Sequence, residues 1–287
     1  MVTSSLSALL ICFELITGGM LYSLIRRGSE EDGVHLAVFN RGSVFALLLF
    51  LASFFLYSRK DNKLIYLLFM PFIALLFLTQ SQSVQIGFVF AILFYLLFPF
   101  KNQIALSVAF ALFAVHALIL PFVMPAIYDA VPYLGDTPIL KSGFANHRLE
   151  IWDFISQKIQ TNPWVGHGLE FTRGYEGFQP RGIYFHWDSI LHPHNFVLQV
   201  WIELGVIGVL FLISFVCFLM LEIRKMEHSV QKSALAILFT LLLLNSFSYG
   251  LWQSWWLGFM FIISGLFLLV SYQSRDYKEE GANSSAG

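Results

Sequence analysis

The chain has 287 residues, 57% of them hydrophobic and 12% charged, with a mean hydropathy of +0.70. A soluble domain averages about 25% charged residues, so the composition excludes an ordinary soluble globule and indicates a polytopic membrane protein. A net charge of −1 offers no basic footprint for nucleic acid, and Cys12 and Cys217 both fall in apolar stretches, which argues against a disulfide framework or a metal cluster.

In chain order, residues 6–25 form the first predicted span. No basic segment precedes it, so it does not read as a cleaved signal peptide. Glu14 lies inside it. A carboxylate there is either functional, or else protonated or paired with a neighbouring helix, and its isolation favours the second reading. A charged loop, 26–42, ends in Asn40-Arg41-Gly42. Spans are predicted at 43–57, 64–80, 84–100 and 104–127, each near the ~20 residues that a bilayer requires. After a long polar stretch, 128–193, come spans at 195–221, 233–251 and 254–272, and the polar tail from Gln273 reads as disordered. The expected organisation is an all-α integral membrane protein. Residues 1–127 hold five spans, 128–193 a loop, 194–272 three more spans and 273–287 a tail. About eight transmembrane helices place both termini on one side. No internal repeat is evident.

The side with the termini carries Arg59, Lys60, Lys63, Lys101, Arg224, Lys225, Lys232, Arg275 and Lys278, nine basic residues, against three (Arg26, Arg27, Arg41) in the short loops opposite. By the positive-inside rule the termini are cytoplasmic and the long loop faces outward.

Within that loop, residues 146–160 have helical periodicity, with Leu149, Trp152, Ile155 and Ile159 near one face. Asn146 is a candidate cap and Asn162-Pro163 a stop. Such a helix is expected to lie in the membrane interface. Arg148 shares a side with Trp152 and is either one half of a surface ion pair with Glu150 or Asp153 or a planar fork for phosphate. Asn162 to Gly168 is rich in turn residues.

The densest polar motif opens the sixth span: His192-Pro193-His194-Asn195, then Gln199 and Glu203 on one helical face, then Gly205 and Gly208. Asn195 is a plausible N-cap. His194 then sits at the positive end of the helix dipole, which disfavours imidazolium and keeps the ring neutral, as a general base requires. The plainer alternative is a pair of interfacial histidines. Glu203 is expected to support structure, and the two glycines to permit close helix packing. His116 reads as a core residue, His167 and His186 as loop residues, and Trp252, Trp255 and Trp256 as an aromatic belt.

Three elements stand in order: Arg148-x-x-x-Trp152, Asn162-Pro163-x-x-Gly166-x-Gly168, and His192-x-His194-Asn195-x-x-Leu198-Gln199-x-Trp201-x-Glu203-x-Gly205-x-x-Gly208. As a set they resemble the O-antigen ligase and Wzy polymerase superfamily. Asn40-Arg41-Gly42 resembles a recurring segment of that family, and Thr79-Gln80-Ser81-Gln82-Ser83 its Thr-x-Ser-Arg segment, with Gln82 in place of the arginine. The resemblance covers roughly residues 36–270. Members usually carry several further helices before the Asn-Arg element, so the chain reads as a short or truncated member.

The resemblance implies a GT-C-like, inverting membrane glycosyltransferase of a bacterial inner membrane, with the long loop periplasmic. The donor would be a glycan on undecaprenyl pyrophosphate and the acceptor a glycolipid or glycan hydroxyl, with no metal or other cofactor. By the same resemblance His194 is the catalytic base. Arg148, Arg41, Gln82, His192 and Asn195 bind substrate, and Trp152, Glu203 and Gln199 support them. Ligase and polymerase remain alternatives. A solute transporter is disfavoured because ionisable groups inside spans are few (Glu14, His116, Glu203). A non-catalytic membrane partner is the third reading, prompted by Gln82.

Overall fold

The computed structural model describes residues 2–25, 34–57, 63–79, 81–130, 144–175, 177 and 190–285. Much of the predicted outward loop lies outside the described residues, including Lys141, Arg181 and His186, as do Gln80 and the basic positions Arg26, Arg27, Arg59 and Lys60. The helices are α1 (Val2–Thr17), α2 (Met20–Ile25), α3 (Asn40–Tyr57, preceded by a 3-10 turn Leu36–Phe39), α4 (Lys63–Leu78), α5 (Gln82–Leu97), α6 (Gln103–Ala130), α7 (Phe144–Ile159), α8 (Phe171–Gly174), α9 (Phe196–Arg224), α10 (His228–Asn245) and α11 (Ser254–Ser285). No strand occurs among the described residues. Each predicted span contains a helix. Three segments, Leu36–Phe55, Gln103–Ala130 and Phe196–Arg224, are long and apolar enough to cross a membrane, and five shorter apolar helices accompany them.

Several boundaries differ from the sequence expectation, each for a local reason. The first span breaks at Gly18 and Gly19, both at positive φ (69° and 87°), a conformation cheap only for glycine. The Glu14 carboxylate then accepts the Leu21 and Tyr22 amides at 3.0 and 3.4 Å, capping α2. That is the paired role expected of an isolated buried acid. Helix α10 stops at Asn245, six residues short of the predicted end. Helix α11 continues through Ser285 where disorder is expected from composition. Once formed, a helix propagates readily through good helix formers such as Arg275, Lys278, Glu279 and Glu280.

The chain forms two compact units, each assembled from separate stretches of sequence. The first comprises Met1–Phe98, Ile223–Leu243 and Gly258–Gly287. Within it α1 packs on α3 and α4, and the Ser5 hydroxyl donates to the Leu68 carbonyl at 2.8 Å. Phe69 of α4 bridges Phe50 of α3 and Phe88 of α5, and Phe55 stacks flat on Tyr95 at 4.0 Å. The order of these contacts makes α3 and α5 parallel, so Arg41 and Gln82, both in first turns, lie at one end of this unit.

The second unit comprises Pro99–Glu222 and Leu244–Leu257. Its α6 packs against α7. Pro121 has no N–H, so the Ala117 carbonyl one turn earlier loses its helical partner. The Trp201 indole N–H of α9 takes that place at 2.7 Å, with Phe122 edge-on to its ring at 5.8 Å. Helix α7 is more deeply buried than an interfacial amphipathic helix. Trp152, Ile155 and Ile159 are buried as the periodicity predicts, while Leu149 is half-buried, and Glu150, Ile151, Asp153 and Ser156, outside the predicted face, are buried too. Gln157 donates to Asp153 at 3.0 Å, so this buried carboxylate is hydrogen-bonded within the fold rather than solvated.

Candidate active site at the broken helix

Helix α9 is not continuous. Gly205 has φ 63° and ψ −160°, which interrupts it. A break frees backbone groups that must be satisfied in a buried setting. The turn-rich segment Asn162–Gly168 satisfies them. Its His167 and Gly168 amides donate to the Ile202 and Glu203 carbonyls at 2.7 and 2.9 Å. The Val206 and Ile207 amides donate back to Pro163 and Trp164 carbonyls at 2.8 and 3.4 Å. The two backbones are close enough that a Cβ on Gly166 would stand 2.5 Å from the Glu203 carbonyl oxygen, and one on Gly205 2.5 Å from that of Trp164. These glycines therefore serve a helix–loop exchange. Close packing between whole helices, the expectation for Gly205 and Gly208, is not their role: a Cβ on Gly208 meets Leu204 and Val200 of its own helix.

At the start of α9, Asn195 is the N-cap. Its Oδ1 accepts the Leu198 amide at 3.1 Å and its Nδ2 donates to the Ser246 carbonyl at 3.2 Å. Both ends of the amide are thus engaged inside the fold, tying the start of α9 to the turn after α10. His194 precedes it at φ 56°, left-handed backbone that few non-glycine residues adopt.

The His194 ring is tied from one side. Nδ1 lies 2.6 Å from the Ser248 carbonyl. A carbonyl only accepts, so Nδ1 carries the proton and Nε2 the lone pair. Burial lowers the His194 pKa from its ordinary value to about 4, with the Arg148 charge pushing the same way and the Ser248 carbonyl opposing. The ring is therefore neutral at neutral pH, as the sequence suggests, although burial leads where the helix dipole was expected to. His192 packs edge-on at 4.2 Å. Its Nδ1 accepts the His194 amide at 3.3 Å, so its Nε2 carries the proton. The Gln253 side-chain nitrogen lies 3.0 Å from that atom; both would then be donors, so the pair hydrogen-bonds when the amide is turned to present its oxygen.

Helix α7 supplies the cation. Arg148 is half-buried, and its desolvation lowers the guanidinium pKa to about 10, against an opposing effect of Tyr249. It remains charged at neutral pH, in electrostatic reach of His194. Trp152, one turn on, donates its indole N–H to the Pro193 carbonyl at 2.8 Å and packs on Phe247. It thereby fixes the His-Pro-His segment.

Deeper in α9, Gln199 donates to Glu203 Oε1 at 3.1 Å and accepts the Leu251 amide at 2.8 Å. The Trp252 indole N–H donates to Glu203 Oε2. Trp256 is wholly buried, with its N–H on Asn245, so the three tryptophans are not one exposed belt.

The fold thus gathers Arg148, Trp152, His192, His194, Asn195, Gln199 and Glu203 into the second unit, while Arg41 and Gln82 belong to the first. The turn 246–253 is the part that sequence reasoning misses. Ser248, Gly250, Trp252 and Gln253 all contribute, and a Cβ on Gly250 would stand 2.7 Å from the His192 ring. A signal for it exists in the polar run Asn245-Ser246-Phe247-Ser248-Tyr249-Gly250 at the end of a predicted span.

The chain is similar to known proteins along most of its length. Two Rickettsia proteins named "Putative polysaccharide ligase" are similar. The one from Rickettsia conorii is 26% identical over 278 residues, covering 92% of this chain and 63% of the relative. The one from Rickettsia prowazekii is 25% identical over 243 residues, 82% and 58% respectively. The chain therefore spans about three-fifths of the length of these relatives. No solved structure matches. Residues 65–213, more than half of the chain and inclusive of α7, the exchange loop, the histidine pair and the helix break, match the O-antigen ligase family, and the chain belongs to that family of membrane proteins.

Proposed function

We propose that this protein transfers a glycan from an undecaprenyl-pyrophosphate carrier to a sugar hydroxyl at the outer face of a bacterial inner membrane, with inversion at the anomeric carbon. The observation that carries the reading is the His194 tautomer: Nδ1–H is held by the Ser248 carbonyl at 2.6 Å, leaving Nε2 as a proton acceptor in reach of the Arg148 charge. A sugar hydroxyl is a poor nucleophile, and a neutral imidazole can take its proton as the new bond forms. The hydroxyl oxygen attacks the anomeric carbon, the bond from that carbon to phosphate oxygen breaks, and the lipid pyrophosphate leaves. Negative charge grows on the leaving group, where the planar Arg148 fork stabilises it in a low-dielectric setting. The same incoming phosphate charge raises the His194 pKa from its resting value towards the range where a base works best. The Rickettsia relatives' name favours a ligase over a polymerase as the first assay.

The test uses purified protein in lipid, a lipid-linked oligosaccharide and an acceptor glycolipid. His194→Ala should keep the fold and donor binding but lower turnover by about 10²–10⁴-fold, the usual contribution of a general base. Transfer by His194→Ala at the parent's rate would overturn the mechanism and leave the motif as a helix cap.

A further inference from the structure

Glu203 hydrogen-bonds to neither histidine, yet the turn that contacts both is tied to it. It is 1% exposed, and Gln199 4%. Its carboxylate accepts from Gln199 and from the Trp252 indole, and Gln199 in turn accepts the Leu251 amide. The turn so gripped presents the Ser248 carbonyl to His194 and the Gln253 amide to His192. The backbone of Glu203 meanwhile holds the exchange loop through the Gly168 amide. We infer that Glu203 is a positioning residue that fixes the orientation and tautomer of His194 by clamping the 248–253 turn through Gln199 and Trp252.

The chemistry of the pair makes the inference testable. A carboxylate accepts on both oxygens; an amide accepts on one end and donates from the other. With Glu203→Gln, two donors, Gln199 Nε2 and Trp252 Nε1, face a single acceptor. Gln199 must turn over to comply and then loses the Leu251 amide. Exchange of the two residues restores these three bonds. In the double variant Gln199→Glu/Glu203→Gln, the carboxylate now at position 199 accepts the Leu251 amide on one oxygen. Its other oxygen accepts from the amide nitrogen now at position 203, and the amide oxygen there accepts the Trp252 indole.

The reading of His194 as a base is the premise for the kinetic arm. Glu203→Gln should lower kcat about ten- to a hundredfold, the scale of a small misplacement of a reacting group. The donor KM should change little, because Arg148 is untouched. The double exchange should recover most of kcat. A second arm needs no turnover: nitrogen-15 NMR of labelled histidine in the full chain in nanodiscs. The parent should show His194 protonated at Nδ1 only, Glu203→Gln a mixture of tautomers, and the double exchange the parent pattern. An unchanged His194 signal in Glu203→Gln, or a double exchange that is folded but as altered as the single variant, would overturn the inference. Loss of the glycosyltransferase reading would appear separately, as His194→Ala matching the parent in transfer.

Discussion

The His194 imidazole combines two conditions that work against each other in most proteins. It is largely enclosed and in reach of a guanidinium, which keeps it neutral, and under the proposed mechanism it must still take up a proton on demand. Its ordinary pKa of 6.5 falls to about 4 in the fold, so the free enzyme binds a proton there only when the pH approaches 4. The sign follows directly: the base is available throughout neutral and mildly acidic conditions and is lost as pH falls through the folded value. The pH profile of kcat/KM, which reports the free enzyme, should stay level as pH drops through 6.5 and decline only near 4. An acidic limb centred near 6.5 would show a solvated ring and remove the burial argument. The histidine and arginine were legible in the sequence because their chemistry resides in their residue type. The Ser248 carbonyl that sets the tautomer was not, since a backbone carbonyl leaves no mark in sequence.

Helix α9 shows how hydropathy locates an element without deciding how much of it lies in lipid. Its 29 residues would reach about 44 Å as a straight helix, well beyond the ~30 Å hydrocarbon core. Hydropathy cannot separate a residue facing lipid from one encased in protein, and both occur here. Before the break, Phe196 to Glu203 are all buried. After it, Ile207, Leu210, Phe211, Phe215, Phe218 and Leu221 are exposed. The part from Val206 to Arg224 is about 28 Å long and matches a bilayer alone. If that part alone crosses the bilayer, the break at Gly205 lies near one membrane interface, with the exposed Trp164 beside it, and the first turns of α9 stand outside the hydrocarbon with their polar pair, Gln199 and Glu203. Spin labels at Ile207 and Phe215, both exposed and tolerant of a probe, distinguish the alternatives. Oxygen accessibility should be greatest at Phe215 and low at Ile207. The reverse order would mean that the helix enters the membrane at Phe196, as the sequence predicts.

At the scale of the whole molecule, the chemistry is concentrated in one of the two compact units. That unit is assembled from segments far apart in the chain: α6 to α9 and the turn after α10. Such an arrangement explains why the linear order of spans was readable from hydropathy while the grouping was not, because grouping depends on contacts between distant residues such as Trp201 with Ala117 and Gln199 with Leu251. It also requires that α7, the exchange loop and the histidine pair share one side of the membrane. The nine-to-three distribution of basic residues in short segments predicts that this side is the exterior, where a lipid-linked glycan would be presented. Arg173, an exposed residue of α8 paired only with Glu170 among the described contacts, reports on it without touching the site. In a background with Cys12 and Cys217 replaced by alanine, Arg173→Cys should react with a membrane-impermeant thiol reagent in intact spheroplasts. Lys225→Cys, in the connection after α9, should react only after lysis. If the two positions exchange behaviour, the orientation is inverted, His194 faces the cytoplasm, and a donor presented at the outer face could not reach it.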